Sequence, residues 1–181
     1  MTPPQIYLRP AITSDLEAIL TLERVTDLAP HWPPSAYADI LDSNLPQRCL
    51  FVAEKYEILA GFAVGLLQGD ASNPIAELES VVVSASDRRT GIGRALCRAV
   101  FDWSRSQGAT ELVLEVRAAS SAAVALYAGL GFTPSARRPR YYRDPNDDAL
   151  LMRLQLEREK GEQPNCPLPN PPAIAPRPLC R

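Results

Sequence analysis

The chain contains the segment Arg88-Arg89-Thr90-Gly91-Ile92-Gly93-Arg94-Ala95 between a strand-like run that ends at Val83 and a helical pattern that ends near Gly108. The first turn of a helix leaves backbone N–H groups without partners in the helix, and the helix dipole adds positive potential there. The two glycines remove side chains that would keep an anion from these amides, and the three arginines add attraction. The segment therefore predicts a diphosphate site at the start of a helix.

Glycines at this place have other uses, so the loop alone leaves alternatives open. They also allow a tight turn from strand to helix without any ligand. A dinucleotide fingerprint requires a third glycine where Leu96 stands, and a nucleoside triphosphate loop requires Gly-Lys-Ser/Thr, which the segment lacks. A diphosphate that needs no metal remains, and coenzyme A contains one.

Hydrophobic periodicity on both sides of this segment predicts a mixed α/β order, with strands and helices alternating in the second half. The predicted strands are 6–8, 50–54, 58–67, 76–83, 110–116, 132–138 and 149–154, and the predicted helices are 14–25, 35–41, 91–108 and 120–130. The second to fourth strands predict an antiparallel meander. Ser14-Asp15-Leu16-Glu17 has the form of a capping box, and Glu23 interrupts the apolar face of the helix that follows.

Length and composition predict one soluble domain with a tail. A chain of 181 residues with 46% hydrophobic and 22% charged residues is typical of a single globular domain. We place this domain at 1–158 and expect 159–181, which is rich in proline, to be a disordered tail. The net charge of -2 argues against direct nucleic-acid binding. Without a long apolar stretch or a signal peptide, we expect no membrane contact and a cytoplasmic location.

The cysteines and the single histidine predict no metal site. Cys49, Cys97, Cys166 and Cys180 form no CxxC pair and have no histidine at ligand spacing, so we expect free thiols. His31 is expected to lie in a loop.

Two sets of residues resemble a known family. Arg88-x-x-Gly91-x-Gly93 resembles the acetyl-CoA signature Gln/Arg-x-x-Gly-x-Gly/Ala of the GNAT N-acetyltransferases, in its usual place after the fourth strand. Leu114-Glu115-Val116-Arg117-Ala118, Ala125-Leu126-Tyr127 and Gly131-Phe132 resemble the ribosomal-protein-alanine (RimI-type) branch of that family. The resemblance covers about residues 5–156.

The resemblance implies the GNAT acyl-CoA N-acyltransferase fold, an α/β (α+β) architecture with a central mixed, mostly antiparallel sheet flanked by helices. It implies transfer of acetyl from acetyl-CoA to the N-terminal α-amine of a protein, such as a ribosomal protein. We expect a monomer. Two alternatives stay open: acetylation of a small amine or a lysine side chain, and a CoA-binding module without catalysis.

The resemblance also implies which residues contact the cofactor. These are Val81, Val82 and Val83, the segment Arg88 to Ala95, and Ser120. An oxyanion donor is expected from a backbone N–H near Val82 or Val83. The family usually has asparagine where this chain has Ser120, and serine has a shorter reach, which concerns cofactor affinity rather than fold.

Acetyl transfer requires a neutral amine, and Glu115 is the candidate base. An α-amine has a pKa near 8, so a modest base suffices at neutral pH. On pattern alone Glu115 is equally an outward-facing strand residue paired with Arg117. The resemblance implies the catalytic role, acting through water. Glu77 and Glu79 on the preceding strand rank lower for the same role.

Tyr127 is the candidate proton donor to the leaving thiolate, since a phenol has a pKa near 10, close to that of a thiol. The alternative is a core tyrosine on an amphipathic helix. Cys97 has no recognisable base partner, so direct attack in a ternary complex is predicted rather than an acyl-enzyme.

The acceptor is expected to contact Trp32, Glu79, Tyr141 and Tyr142. Trp32 and the two tyrosines resemble the two loops that flank the peptide groove in RimI-like enzymes. Alternatively, Trp32 holds its loop against the core and the tyrosines stabilise a hairpin.

Overall fold

The computed structural model describes residues 6–27, 29–42, 47–69 and 72–156. These residues form seven strands, β1 (Ile6–Pro10), β2 (Arg48–Lys55), β3 (Ile58–Gln68), β4 (Ile75–Val83), β5 (Glu111–Arg117), β6 (Thr133–Arg143) and β7 (Asn146–Gln155). The helices are α1 (Leu16–Arg24), α2 (Pro34–Asp42), α3 (Ile92–Ser106) and α4 (Ser121–Ala128). Each predicted element is present, and the predicted tail lies outside the described residues.

The strands form a single sheet in the order β1-β2-β3-β4-β5-β7-β6. Neighbours are antiparallel except β4 and β5, which are parallel and are connected through α3. The β2-β3-β4 meander and the mixed, mostly antiparallel sheet are therefore confirmed.

Helices cover both faces of the sheet, and each face has its own core. The core under α3 includes Ile92, Leu96, Val100, Leu112, Leu114 and Val116. The core under α1 and α2 includes Ile19, Leu22, Tyr37, Phe62, Val64 and Val82. Side chains alternate between the two faces along a strand, so the side chain of the residue after each of these strand positions points to the opposite face of the sheet.

The start of the first helix differs from the prediction. Thr13–Asp15 forms a 3-10 turn, and α1 then begins at Leu16 without a side-chain cap, so the predicted capping box is wrong. The backbone N–H of Ile12 donates to Oδ2 of Asp15 at 2.8 Å. The hydrogen bond from Arg9 lowers the pKa of the Asp15 carboxyl. Asp15 anchors this turn because a nearby arginine on β1 holds it, which local sequence does not reveal.

Glu23 is buried, although its charge interrupts the apolar face of α1. The residue is 2% exposed. Its Oε1 accepts the Tyr37 hydroxyl at 2.7 Å and the backbone N–H of Trp32 at 3.0 Å. Burial, followed by the hydrogen bond to Glu23, raises the pKa of Tyr37. The carboxylate therefore joins α1 to α2 and to the segment between them.

We expect Tyr37→Phe to lower the free energy of unfolding by about 1 to 3 kcal/mol, because it leaves the buried Glu23 carboxylate with one donor fewer. Denaturant titration at neutral pH measures this change. Tyr7→Phe is the control, since Tyr7 is 60% exposed and its variant should match the wild type within about 0.5 kcal/mol. Equal stability of the two variants would show that the hydrogen bond to Glu23 is not needed.

Candidate active site

The strands β4 and β5 separate after a short paired region. Their parallel pairing runs only from Ile75 and Glu111 to Glu77 and Val113. The register of β4 against β3 then shifts at Glu79, a bulge that bends the strand. A cleft of about 570 Å³ opens at this gap, and its lining comes from α3 and α4 on one face of the sheet and from the segment after α1 on the other.

The start of α3 borders the cleft on one face. Gly91 precedes the helix with φ of 94°, a conformation that glycine adopts without strain. The first hydrogen bond of the helix runs from the Ala95 N–H to the Gly91 carbonyl at 3.0 Å, and no side chain caps the helix. The amides of the first turn and the helix dipole are therefore oriented to bind an anion.

The side chains of the predicted phosphate segment go to different places. Arg88 and Gly93 line the cleft. The Arg94 guanidinium donates to the Gly129 carbonyl at 3.0 Å and so connects α3 to the end of α4. Ile92 is in the core, Arg89 is exposed, and Thr90 Oγ1 donates to the Asp87 carbonyl at 2.6 Å. Of the three arginines in this segment, Arg88 is the one that reaches the cleft.

An ion pair fixes the turn that precedes this segment. Lys55 Nζ on β2 lies 2.6 Å from Asp87 Oδ1, and the Ser84 hydroxyl donates to Oδ2 at 2.6 Å. The Lys55 hydrogen bond, with help from Ser84, lowers the pKa of Asp87 to about 2. Asp87 is therefore ionised at neutral pH and fixes the turn that leads to Arg88.

The backbone of β4 presents N–H groups to the gap. The Ser84 N–H donates to the Ala60 carbonyl of the neighbouring strand β3 at 2.9 Å and so points away from the gap. Backbone groups of successive strand residues point to alternate edges, so Val83 and Val81 direct theirs toward the gap and Val82 directs its own toward β3. Of the two predicted oxyanion donors, Val83 has the suitable orientation.

Glu115 lies on the face opposite α3, because its neighbours Leu114 and Val116 pack into the core under that helix. Glu115 lines the cleft, and its Oε1 accepts a hydrogen bond from Arg138 on β6 at 2.5 Å. The partner is thus Arg138 and not Arg117, the partner considered from sequence.

Glu79 also lines the cleft, but Arg48 donates to both of its carboxylate oxygens, at 2.9 and 3.0 Å. Glu77 is half-buried and accepts a hydrogen bond from Gln68. Burial, followed by the charge of Glu79, raises the pKa of Glu77. Among the described residues, the cleft lining includes Glu79 and Glu115 but not Glu77.

Tyr141 and Tyr142 lie on β6, which continues further than predicted, and not in a loop. Tyr142 lines the cleft, and the Arg117 guanidinium lies 4.1 Å above its ring. Tyr141 packs edge-on against Tyr142 with ring centroids 5.2 Å apart. Tyr142 therefore belongs to a hairpin, as in one of the two alternatives, and lines the cleft, while its contact with an acceptor stays a prediction.

Trp32 packs on Tyr37 at a centroid distance of 5.5 Å. These contacts match the alternative in which Trp32 holds its loop against the core, and a contact with an acceptor stays a prediction. The part of this loop that lines the cleft is earlier in the chain and consists of Thr26, Asp27, Ala29 and Pro30.

Comparisons with known proteins show the family to which this fold belongs. Residues 15–132 match the acetyltransferase (GNAT) family. The chain belongs to the GNAT acetyltransferase family. A ribosomal protein bS18-alanine N-acetyltransferase of Escherichia coli K12 is 34% identical over 147 residues, which are 80% of this chain and 93% of that protein. An N-alpha-acetyltransferase RimI of Mycobacterium tuberculosis is 35% identical over 123 residues, 67% and 74% of the two chains.

The crystal structure of the ribosomal-protein-S18-alanine N-acetyltransferase from Escherichia coli has the same fold, with a TM-score of 0.72 and 28% identity. The match covers 91% of this chain and 100% of that chain. As a GNAT enzyme, the protein is an N-acetyltransferase that uses acetyl-CoA. The uncapped first turn of α3 beside an open cleft fits the diphosphate of that co-substrate.

Two predicted residues of this GNAT enzyme line the cleft at α4, one just before the helix and one within it. Ser120 precedes the helix and lines the cleft. Tyr127 lines it as well, and its ring packs against Phe132 at a centroid distance of 5.9 Å. Burial raises the pKa of Tyr127 above its ordinary value. The phenol is therefore protonated at neutral pH and has a proton to donate, and its role as the proton donor stays a prediction.

Neither Cys49 nor Cys97 is among the residues that line the cleft. Cys49 and Cys97 are buried free thiols, as predicted, and burial raises the pKa of each to about 12. Cys166 and Cys180 lie outside the described residues, and His31 is in a loop. In the described ranges, no three His, Cys, Asp or Glu side chains are grouped to hold a metal, and no helix is long and apolar enough to cross a membrane.

Sequence reasoning missed three features of the GNAT cleft: the lining by Thr26, Asp27, Ala29 and Pro30, the Arg138 partner of Glu115, and Ser80. The first two depend on contacts between distant elements, which no local pattern encodes. Ser80 carried a usable signal, because it is the polar residue between the valines and glutamates of β4.

Proposed function

We propose that this protein acetylates the N-terminal α-amine of another protein, with a ribosomal protein as the acceptor. The observation that supports this is the cleft through the sheet. It joins the start of α3 on one face to an opening lined by Glu115, Glu79 and Tyr142 on the other. Two substrates that enter from opposite faces would meet in the gap. The Escherichia coli relative named for an alanine of ribosomal protein bS18 supports a protein N-terminus as the acceptor.

Glu115 is the favoured base. Removing a proton from an α-amine at neutral pH costs only about 1 kcal/mol, so a single carboxylate acting through water suffices. Arg48 occupies both carboxylate oxygens of Glu79, whereas Arg138 contacts Oε1 of Glu115. Glu115 therefore keeps more capacity to accept a proton and is held in a fixed orientation.

Acetyl-CoA supplies the activated acetyl group, and the bond from the amine nitrogen to the acetyl carbon forms as the carbon–sulfur bond breaks. Glu115 first takes, through water, the proton that makes the amine an ammonium. The Tyr127 hydroxyl donates its proton to the leaving sulfur, and the second proton, which the nitrogen loses as the amide forms, returns to Tyr127 through water. The Val83 N–H stabilises negative charge on the carbonyl oxygen. Each role is assigned to a group that faces or lines the gap.

An acetylation assay tests the proposal. The protein is mixed with acetyl-CoA and a peptide that begins with alanine and contains one internal lysine, and mass spectrometry locates the acetyl group. We expect it on the α-amine. The control peptide has a formylated N-terminus and the same lysine, and it should stay unmodified. Acetylation of the lysine in both peptides would favour a lysine acetyltransferase, and no release of CoA would favour a binding module.

A further inference from the structure

Ser80 is a buried serine with an unused hydroxyl. The residue is 7% exposed, and its Oγ has no hydrogen-bond partner within the described part of the chain. By contrast Ser104, a buried serine near the end of α3, is 0% exposed and donates to the Val100 carbonyl at 2.7 Å. A buried hydroxyl without a partner destabilises a protein, because it has lost its hydrogen bonds to water. Ser80 is among the residues that line the cleft, so a ligand bound there would lie beside it.

The position of Ser80 shows which ligand can do so. Ser80 lines the cleft directly after the bulge at Glu79, and its cross-strand neighbour on β3 is Val64. Val64 and Val82 belong to the core under α1 and α2. Since side chains two apart on a strand share a face, Ser80 lies on the same face as Glu115, opposite α3. This is the acceptor face and not the face where the diphosphate would bind.

We propose that Ser80 binds the acceptor amine, with Oγ accepting a hydrogen bond from one of its N–H groups. This inference rests on the proposed function. A neutral primary amine has one lone pair and two N–H groups, and the lone pair must face the acetyl carbon. Glu115 accepts a hydrogen bond from one N–H group through a water, and Ser80 Oγ accepts a hydrogen bond from the other. The two residues together therefore orient the lone pair. The amine becomes more acidic as the new bond forms, which strengthens both hydrogen bonds.

Ser80→Ala tests this assignment, because it removes one oxygen atom and adds none. We expect kcat/KM for an alanine-terminated peptide to fall about fivefold to tenfold, the range for one neutral hydrogen bond. The KM for acetyl-CoA should stay unchanged, and the Tm should stay equal or rise since an unpaired hydroxyl is lost. Ser104→Ala is the matched control: it should lower the Tm and leave kcat/KM for the peptide unchanged.

Three results would overturn the assignment: unchanged kcat/KM for the peptide, a higher KM for acetyl-CoA, or a lower Tm in Ser80→Ala. The second would assign the hydroxyl to the co-substrate, and the third would give it a structural role. The wild-type protein separates the two proposals. If it fails to acetylate the peptide, the proposed function and the role of Ser80 both fail, whereas an active wild type with an equally active Ser80→Ala overturns the role of Ser80 alone.

Discussion

Glu115→Gln should lower kcat/KM for an alanine-terminated peptide about a hundredfold at pH 7, because glutamine cannot accept the proton of the amine. An α-amine with a pKa near 8 is about one-tenth neutral at pH 7 and about nine-tenths neutral at pH 9. The kcat/KM of the variant should therefore rise about ninefold from pH 7 to pH 9, because hydroxide then deprotonates the amine in place of Glu115. Steady-state rates across this pH range measure both effects.

Glu111→Gln is the control for this variant. Glu111 lies on the same strand and on the same face as Glu115, with a similarly covered side chain, 20% against 26% exposed. Its carboxylate accepts a hydrogen bond from Gln155, outside the cleft. We expect Glu111→Gln to keep the wild-type rate. If Glu115→Gln were as active as this control at pH 7, Glu115 would have no part in proton transfer.

Gly93→Asp should weaken CoA binding about a hundredfold. The carboxylate would stand on the first turn of α3, where the diphosphate is expected. Two like charges about 4 Å apart repel each other by a few kcal/mol at the effective dielectric constant near a protein surface. The added negative charge would also offset the attraction of Arg88, at the edge of the cleft, for the diphosphate. Isothermal titration of CoA into the variant and the wild type measures the change in Kd.

Gly93→Ala separates charge from bulk. A Cβ at this position would lie 3.5 Å from Leu126 Cδ2 and 3.6 Å from Val83 Cγ2, which is ordinary van der Waals contact. The alanine variant should therefore fold normally and bind CoA more tightly than Gly93→Asp. Equal affinity of the aspartate variant and the wild type would place the phosphates elsewhere.

Local sequence predicted those parts of the fold that depend on neighbouring residues. The turn at Gly91, the helix that follows it and the strand before it all lie within one continuous segment, so pattern and turn chemistry suffice. The family resemblance added the fold, a central mixed, mostly antiparallel sheet flanked by helices. Glu23 shows the limit, since a charge on an apolar face is acceptable only when distant donors such as Tyr37 satisfy it.

The site was predicted less completely because its two faces come from distant elements. The sequence indicated Glu115 and Tyr142 separately, but not that Arg138 holds Glu115, since that contact joins residues 23 positions apart. The pairing of β7 between β5 and β6 brings them together. Likewise, no local pattern tells whether a strand serine such as Ser80 finds a partner.

A crystal structure of the protein with coenzyme A tests most directly whether the start of α3 holds the diphosphate. We expect diphosphate oxygens within about 3.2 Å of the backbone nitrogens of residues 91–94 and the thiol in the gap between β4 and β5. A coenzyme A molecule bound with its diphosphate away from this turn, or with its thiol outside the gap, would contradict the proposed arrangement.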